Sequence, residues 1–224
     1  MASTYTPLGV ELQATGENAG TWGTKTNTNL QLIEQILGGF TQQSIAGGAQ
    51  TTALTVSDGS TGATLAHRMI EFTGTITGNQ IVTIPLDVQT FYIIKNSTSG
   101  AHTVQFKYAT GSGSSITFST TDKGTKILFA KADDGTNPNI EDVLANLSTI
   151  NLVNQNEVRF EDASGGEYVA LKAPTTVSSN LTLTLPSADG TSGQALTTNG
   201  SGALSFSDAG IGIGKAIAMA IVFG

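Results

Sequence analysis

Residues 74–108 read GTITGNQIVTIPLDVQTFYIIKNSTSGAHTVQFKY, and the fold class turns on how that stretch is read. Three apolar runs, Ile81–Ile84, Phe91–Lys95 and Thr103–Tyr108, are set apart by Gly78-Asn79, Pro85 and Ser99-Gly100. Short runs rich in Ile, Val, Thr, Tyr and Phe between Gly, Asn and Pro are strands, because branched and aromatic side chains suit a pleated, half-buried surface. Val104, Phe106 and Tyr108 alternate, so three large side chains share one face, which is predicted to be core. Gly78-Asn79 and Ser99-Gly100 read as hairpin turns, since Gly and Asn tolerate the positive φ that tight hairpins need.

The same pattern extends outward. Gln43–Ile45, Ala53–Val56, Arg68–Phe72 and Gly74–Ile76 are strand candidates on one side, and Ile116–Phe118 and Lys126–Ala130 on the other. Asp58-Gly59 and the GSGSS run at 111–115 add turn signals. Strands at this spacing predict a sandwich or small barrel, and residues 41–138 are assigned to a β-sandwich-like domain. Before it, residues 1–20 read as an extended arm. Leu30, Ile33, Ile36 and Leu37 then recur at helical spacing, which predicts a helix of about three turns with Asn27 or Thr28 as N-cap, ending at Gly38-Gly39. Residues 1–40 are therefore an arm with one short helix.

Beyond the β block, KADDGTNPNIED (131–142) marks a soft boundary, and VLANLSTINLV (143–153) reads as a short helical or mixed segment. EVRFEDASGGEYVALKAP (157–174) predicts two short strands joined at Gly165-Gly166. NLTLTLP (180–186) alternates through Leu181, Leu183 and Leu185 until Pro186 stops it. Asp189-Gly190, Asn199-Gly200 and Ser201-Gly202 add turns. Strands this short do not close a core alone, so residues 139–210 are expected to bury their apolar face against copies of themselves or neighbouring repeats.

Composition narrows the function. The 224 residues are 38% apolar and 12% charged, with Lys+Arg 10 against Asp+Glu 17 and a net charge of −7. That balance argues against a protein whose main task is gripping nucleic acid or an anionic membrane. With no cysteine there is no disulfide, thiolate metal site or cysteine nucleophile, and His67 and His102 are the only histidines. The start MASTYTPLGVEL lacks the basic and then apolar run of a secretory leader. GIGIG before Lys215 lacks P-loop spacing. The carboxylates of DDGTNPNIED lack the alternating oxygen ligands of an EF-hand, and read as a solvated acidic turn. Glu161, Asp162 and Glu167 are not placed by sequence as a glycosidase pair. No enzyme, cofactor or metal is expected, and a glycan-binding or glycan-cleaving module is the least favoured reading.

Two further stretches carry a resemblance. YTPLGVELQATGENAGTWGTKTNTNLQLIEQILGG contains Pro7, Leu8, Gly9, Thr15, Gly16, Gly20, Thr21, Trp22, Gly23 and Asn27 in an order similar to an amino-terminal segment of the virion fibre and tail-fibre proteins of tailed bacteriophages, particularly marine ones. VRFEDASGGEYVALKAP and LTLTLPSADGTSGQALTTNGSGALSFS resemble a fibre-shaft element of the same proteins, and GTITGNQIVTIP with YIIKNSTSGAHTVQFK resembles the domain between. The resemblance implies a structural virion protein, made in the host cytoplasm. It implies an intertwined homotrimer attached through its N-terminal part to other phage tail or capsid proteins, contributing to host attachment through a host surface receptor. A capsid or tail decoration or connector protein is the alternative, because 224 residues leave no obvious large receptor-binding tip.

Two groups of residues are singled out. Trp22, with Leu30, Ile33 and Leu37 of the helix, is a candidate docking surface, although a lone Trp between glycines also serves as a staple on its own domain. The tail, residues 211–224, ends in IAMAIVF. Ile217, Met219, Ile221 and Phe223 are assigned to an oligomer core, with docking into a different virion protein as the alternative, since an apolar tail free in water aggregates and this one is too short to span a bilayer.

Overall fold

The computed structural model describes residues 2–162, 165–209 and 221. The chain is mainly β with a single α-helix among the described residues, as expected from the sequence, and it divides into two compact units, residues 1–149 and 150–224.

The first unit opens with a tiny antiparallel ribbon, β1 (Thr4–Tyr5) and β2 (Glu11–Leu12), with Thr4 opposite Leu12. Helix α1 follows over Trp22–Gly38, 17 residues and about 25 Å long. It begins nearly two turns earlier than its apolar spacing indicates. Thr21, not Asn27 or Thr28, is the N-cap, and its side chain makes no capping bond. The entry is set by the backbone instead: Asn18 at φ 63° turns the chain, the Thr21 N–H donates to the Asn18 carbonyl at 2.9 Å, and the Lys25 N–H donates to that of Thr21 at 3.1 Å. The first turn, Trp-Gly-Thr-Lys, has no apolar repeat to reveal it. At the other end Gly39 closes the helix, where a Cβ would lie 2.8 Å from Gln35 backbone atoms.

After the helix come β3 (Phe40–Ser44), β4 (Gln50–Ala53), one 3₁₀ turn (Thr64–Ala66), β5 (Met69–Thr73), β6 (Gln80–Ile84), β7 (Thr90–Asn96), β8 (Val104–Tyr108), β9 (Ile116–Phe118), β10 (Thr125–Ala130) and β11 (Ile140–Asp142). They form two sheets, ordered β11-β10-β7-β5-β3 and β4-β6-β8-β9. The two sheets share one core, and the connectivity differs from the predicted hairpins. From β3 to β8 the chain steps to the other sheet at every corner and lays each strand parallel to the one placed a coil earlier. Thr41 sits beside Ile70 and Ile70 beside Ile94 in one sheet, and Thr51 beside Ile81 and Ile81 beside Gln105 in the other. The result is three stacked parallel coils, closed on one side by antiparallel β9, β10 and β11.

The corners explain the change. Ser99-Gly100 and Gly78-Asn79 stack on the corner of the preceding coil rather than reversing a strand, with parallel bridges Gly47–Ile76 and Thr75–Ser99. A Cβ on Gly100, which sits at φ 100°, would lie 2.2 Å from the Ile76 carbonyl oxygen, and one on Gly78 2.3 Å from the Ala49 nitrogen. Glycine is thus required by close stacking as much as by φ. Gln80, almost fully buried, stitches two corners by donating to the Gly48 and Gly78 carbonyls at 2.7 and 2.8 Å.

Between the sheets lies one core. Ile70, Phe72, Tyr92, Ile94 and Leu128 face Val82, Ile84, Val104, Phe106, Tyr108 and Phe118. Phe106 is its centre, 6.3 Å from Phe72 and edge-on to Tyr92 at 6.0 Å between ring centroids. The buried phenols are satisfied: Tyr92 donates to the Leu65 carbonyl at 3.1 Å and Tyr108 to that of Val88 at 2.8 Å. Burial pushes both phenol pKa values up. Ile140 is fully buried here, so the segment read as a boundary after 138 contributes β11 to this core, and the division falls after Thr149. Residues 143–149 form turns rather than a helix, with the Leu144 N–H donating to Asp142 Oδ1 at 3.1 Å.

The second unit contains β12 (Glu157–Glu161) paired with β13 (Tyr168–Lys172), and β14 (Gln194–Thr198) paired with β15 (Leu204–Asp208), two antiparallel ribbons. The first matches the predicted pair joined at Gly165-Gly166. The strand predicted at Leu181–Leu185 is reduced to one bridge, Thr184 beside Ala203, in a cleft where Gly202 leaves no room for a side chain below the Thr182 carbonyl.

Candidate functional site

On α1, Trp22, Leu30, Ile33 and Leu37 fall within an arc of about 80° at 100° per residue. They are 66, 59, 42 and 71% exposed, whereas Leu32 on another face is fully buried. The four predicted docking residues therefore share one solvent-facing apolar stripe, and Trp22 is not a staple on its own unit. Phe40, 58% exposed, follows at the start of β3.

What holds the helix in place was not visible in the sequence. Asn29 Oδ1 accepts the Glu11 N–H at 2.9 Å and its Nδ2 donates to the Glu11 carbonyl at 2.9 Å, so a side-chain amide binds β2 as a strand would. The Glu11 carboxylate takes a bond from Asn18 Nδ2 at 2.8 Å and pairs with Lys25 Nζ at 3.1 Å. The Asn18 bond, with help from Lys25, holds the Glu11 pKa below the usual carboxylate range, and Glu11 raises that of Lys25. A lone Asn in mid-helix and a lone Glu in an arm carry no spacing signal. Near the helix C-terminus an open cavity of about 600 Å³ is lined by Gln31, Glu34, Gln35, Phe40 and His67. Gln35 Oε1 is shielded from water with no partner among the described residues.

The acidic clusters act as turn fasteners. Asp133 Oδ1 accepts the Asn139 N–H at 2.9 Å and is paired with Lys131 at 3.3 Å, which brings its pKa to about 2. Asp134 accepts the Thr136 and Asn137 N–H groups. Asp142 meets Lys126 at 3.4 Å. Among the described residues no group of three His, Asp or Glu side chains is arranged to hold a metal ion. On the outer face of the coils Glu71 gathers Ser97, Gln42 and Lys95 at 2.5, 2.7 and 3.1 Å, and these bonds, that of Ser97 foremost, bring its pKa to about 2.

In the second unit, Val158, Phe160, Val169 and Leu171 lie on one face of the β12–β13 ribbon, with Val158 opposite Leu171 and Phe160 opposite Val169. The other face is polar, with Arg159 paired to Glu157 at 2.7 Å and its guanidinium 4.2 Å from the Tyr168 ring centroid. All four apolar side chains are exposed, as are Leu181, Leu183 and Leu185. Across the described residues 150–209 no apolar side chain is buried; only Gly202 is. Of the residues assigned to an oligomer core, Ile217, Met219 and Phe223 lie outside the described residues, and Ile221 is exposed. No described helix is long and apolar enough to cross a membrane.

No protein-family model, no curated protein and no solved structure matches the chain.

Proposed function

We propose that this chain is a structural component of a phage virion, a tail-fibre or short fibre protein. In this reading it works as a homotrimer, is attached to the particle by its N-terminal part and contributes to host attachment. The observation that carries the reading is that, among the described residues of the second unit, no apolar side chain is buried. An isolated two-stranded ribbon is marginal in water, and one that shows Val158, Phe160, Val169 and Leu171 on a single face needs another surface to cover them. Copies of the same ribbon supply that surface without new chemistry, since a shared core between identical chains buries each chain's apolar face at once. The resemblance of the arm and the shaft segment to phage fibre proteins supports the same assignment, and the exposed stripe on α1 is an attachment surface in this reading.

Mass and shape test it together. Light scattering after size exclusion is expected to give a trimer with a large hydrodynamic radius for the full chain, and dissociation for a chain ending at Gly210. A compact monomer overturns the proposal.

A further inference from the structure

The two ends of the coil stack are finished differently. At one end β9, β10 and β11 run antiparallel and carry ion pairs, Lys126 with Asp142 at 3.4 Å and Lys131 with Glu141 at 2.9 Å. At the other end no described strand pairs with the outer edge of the first coil, whose Ser44 carbonyl takes a bond from Gln43 Nε2 at 3.0 Å. The Met69 N–H donates to the Gly39 carbonyl and the Ile45 N–H to that of Thr73, so odd-numbered residues of this stretch bond inward to β5. A parallel ladder alternates, which turns the N–H and C=O groups of Phe40, Gln42 and Ser44 outward. In the facing sheet the Leu54 N–H donates to the Thr83 carbonyl, which by the same alternation leaves Thr51 and Ala53 outward. All five of these residues are exposed.

Edge strands are ordinarily guarded by charge, proline, bulges or a covering segment. This one has neither charge nor proline: no Asp, Glu, Lys, Arg or Pro occurs between Glu34 and Asp58. We propose that the edge of the first coil, β3 with β4, is a strand-addition site filled by an extended segment of a second copy of this chain. The inference rests on the shared-core assembly proposed above. Chains held together through their second units meet at high effective concentration, so even a short backbone pairing is populated. Charge favours the same occupant. Two chains of net charge −7 repel over most of their surface, and the uncharged coil is where they can touch without that penalty. The inner positions of the coil, Thr41, Gln43 and Thr52, are small or polar, so the incoming strand needs backbone groups and Ser/Thr-type side chains, which this sequence has in abundance.

Amide hydrogen exchange on the full chain tests the site. In the assembled protein the Phe40, Gln42 and Ser44 amides are expected to exchange on the order of a hundredfold more slowly than in chains dissociated by dilution or by Phe160→Asp. Gln42→Pro, which removes the outward N–H and the side-chain bond to Glu71, should abolish the protection at Phe40 and Ser44 while leaving the β3–β5 ladder protected, and Gln42→Ala, which removes the side-chain bond alone, should keep that protection. Fast exchange of these amides in an intact trimer overturns the strand-addition site and leaves the trimer standing. Protection that persists in dissociated chains assigns the strand to the same chain, which also overturns the proposal. A monomeric full chain removes the assembly on which both readings rest.

Discussion

The first unit and the second are built from similar material, short strands rich in Thr, Ser and Gly, yet one has a core and the described residues of the other bury no apolar side chain. In the first, parallel coils bring strands far apart in sequence into two facing sheets, and Phe72, Tyr92 and Phe106 meet between them. In the described residues of the second, ribbons pair with their sequence neighbours, and Phe160 and Leu171 are exposed. What separates the two is connectivity: a chain that crosses to another layer at each corner encloses volume, and one that turns straight back does not.

Experiments can break this contrast in order of effect. Phe106→Ala should be the most damaging substitution, since a fully buried ring at the centre of the core is worth about 3–5 kcal/mol. Denaturant unfolding followed in the first unit should show that loss, and a change below about 1 kcal/mol would mean the two sheets are not held by a common core. Phe160→Asp addresses the opposite side. It is expected to leave the unfolding of the first unit unchanged and to shift the mass of the particle from trimer to monomer, because a charge then sits in the face proposed to be shared.

Gly100→Ala should cost about 1–3 kcal/mol, combining a positive φ with a methyl driven against the Ile76 carbonyl. Ser99→Ala, one residue away with an ordinary backbone, serves as the reference. Acid provides a milder probe. Glu71 has its pKa lowered to about 2 from its ordinary 4.5, so its bonded carboxylate contributes stability above the higher value, and that contribution is lost as pH falls toward the lower one. Between those pH values the first unit of Glu71→Gln should lose less stability than that of the unmodified chain, which a pH series of thermal unfolding reads directly. Trp22→Ala should be smallest, within about 0.5 kcal/mol, because the ring is mostly solvated.

Local pattern placed most strands within a residue or two. Val104, Phe106 and Tyr108 announced a buried face by alternation alone, and they are buried. Leu30, Ile33 and Leu37 likewise announced a helix, and their exposed stripe follows from the same spacing. Where the signal was not periodic the reading missed: β11 lies in a segment whose Asp, Asn and Pro residues look like a linker, and only pairing with β10 turns Ile140 inward.

By itself, then, the sequence determined the secondary-structure class, the apolar faces and the absence of thiol chemistry, because these depend on residues close together in the chain. Tertiary structure alone decided that Gly78 and Gly100 are stacked corners instead of hairpin turns. It also decided that Asn29 clamps Glu11, that β3 and β4 are edge strands, and that Val158, Val169 and Leu171 of the second unit are exposed. Each of these depends on which distant strand lies alongside, and a turn residue permits a change of direction without specifying the layer to which the chain returns.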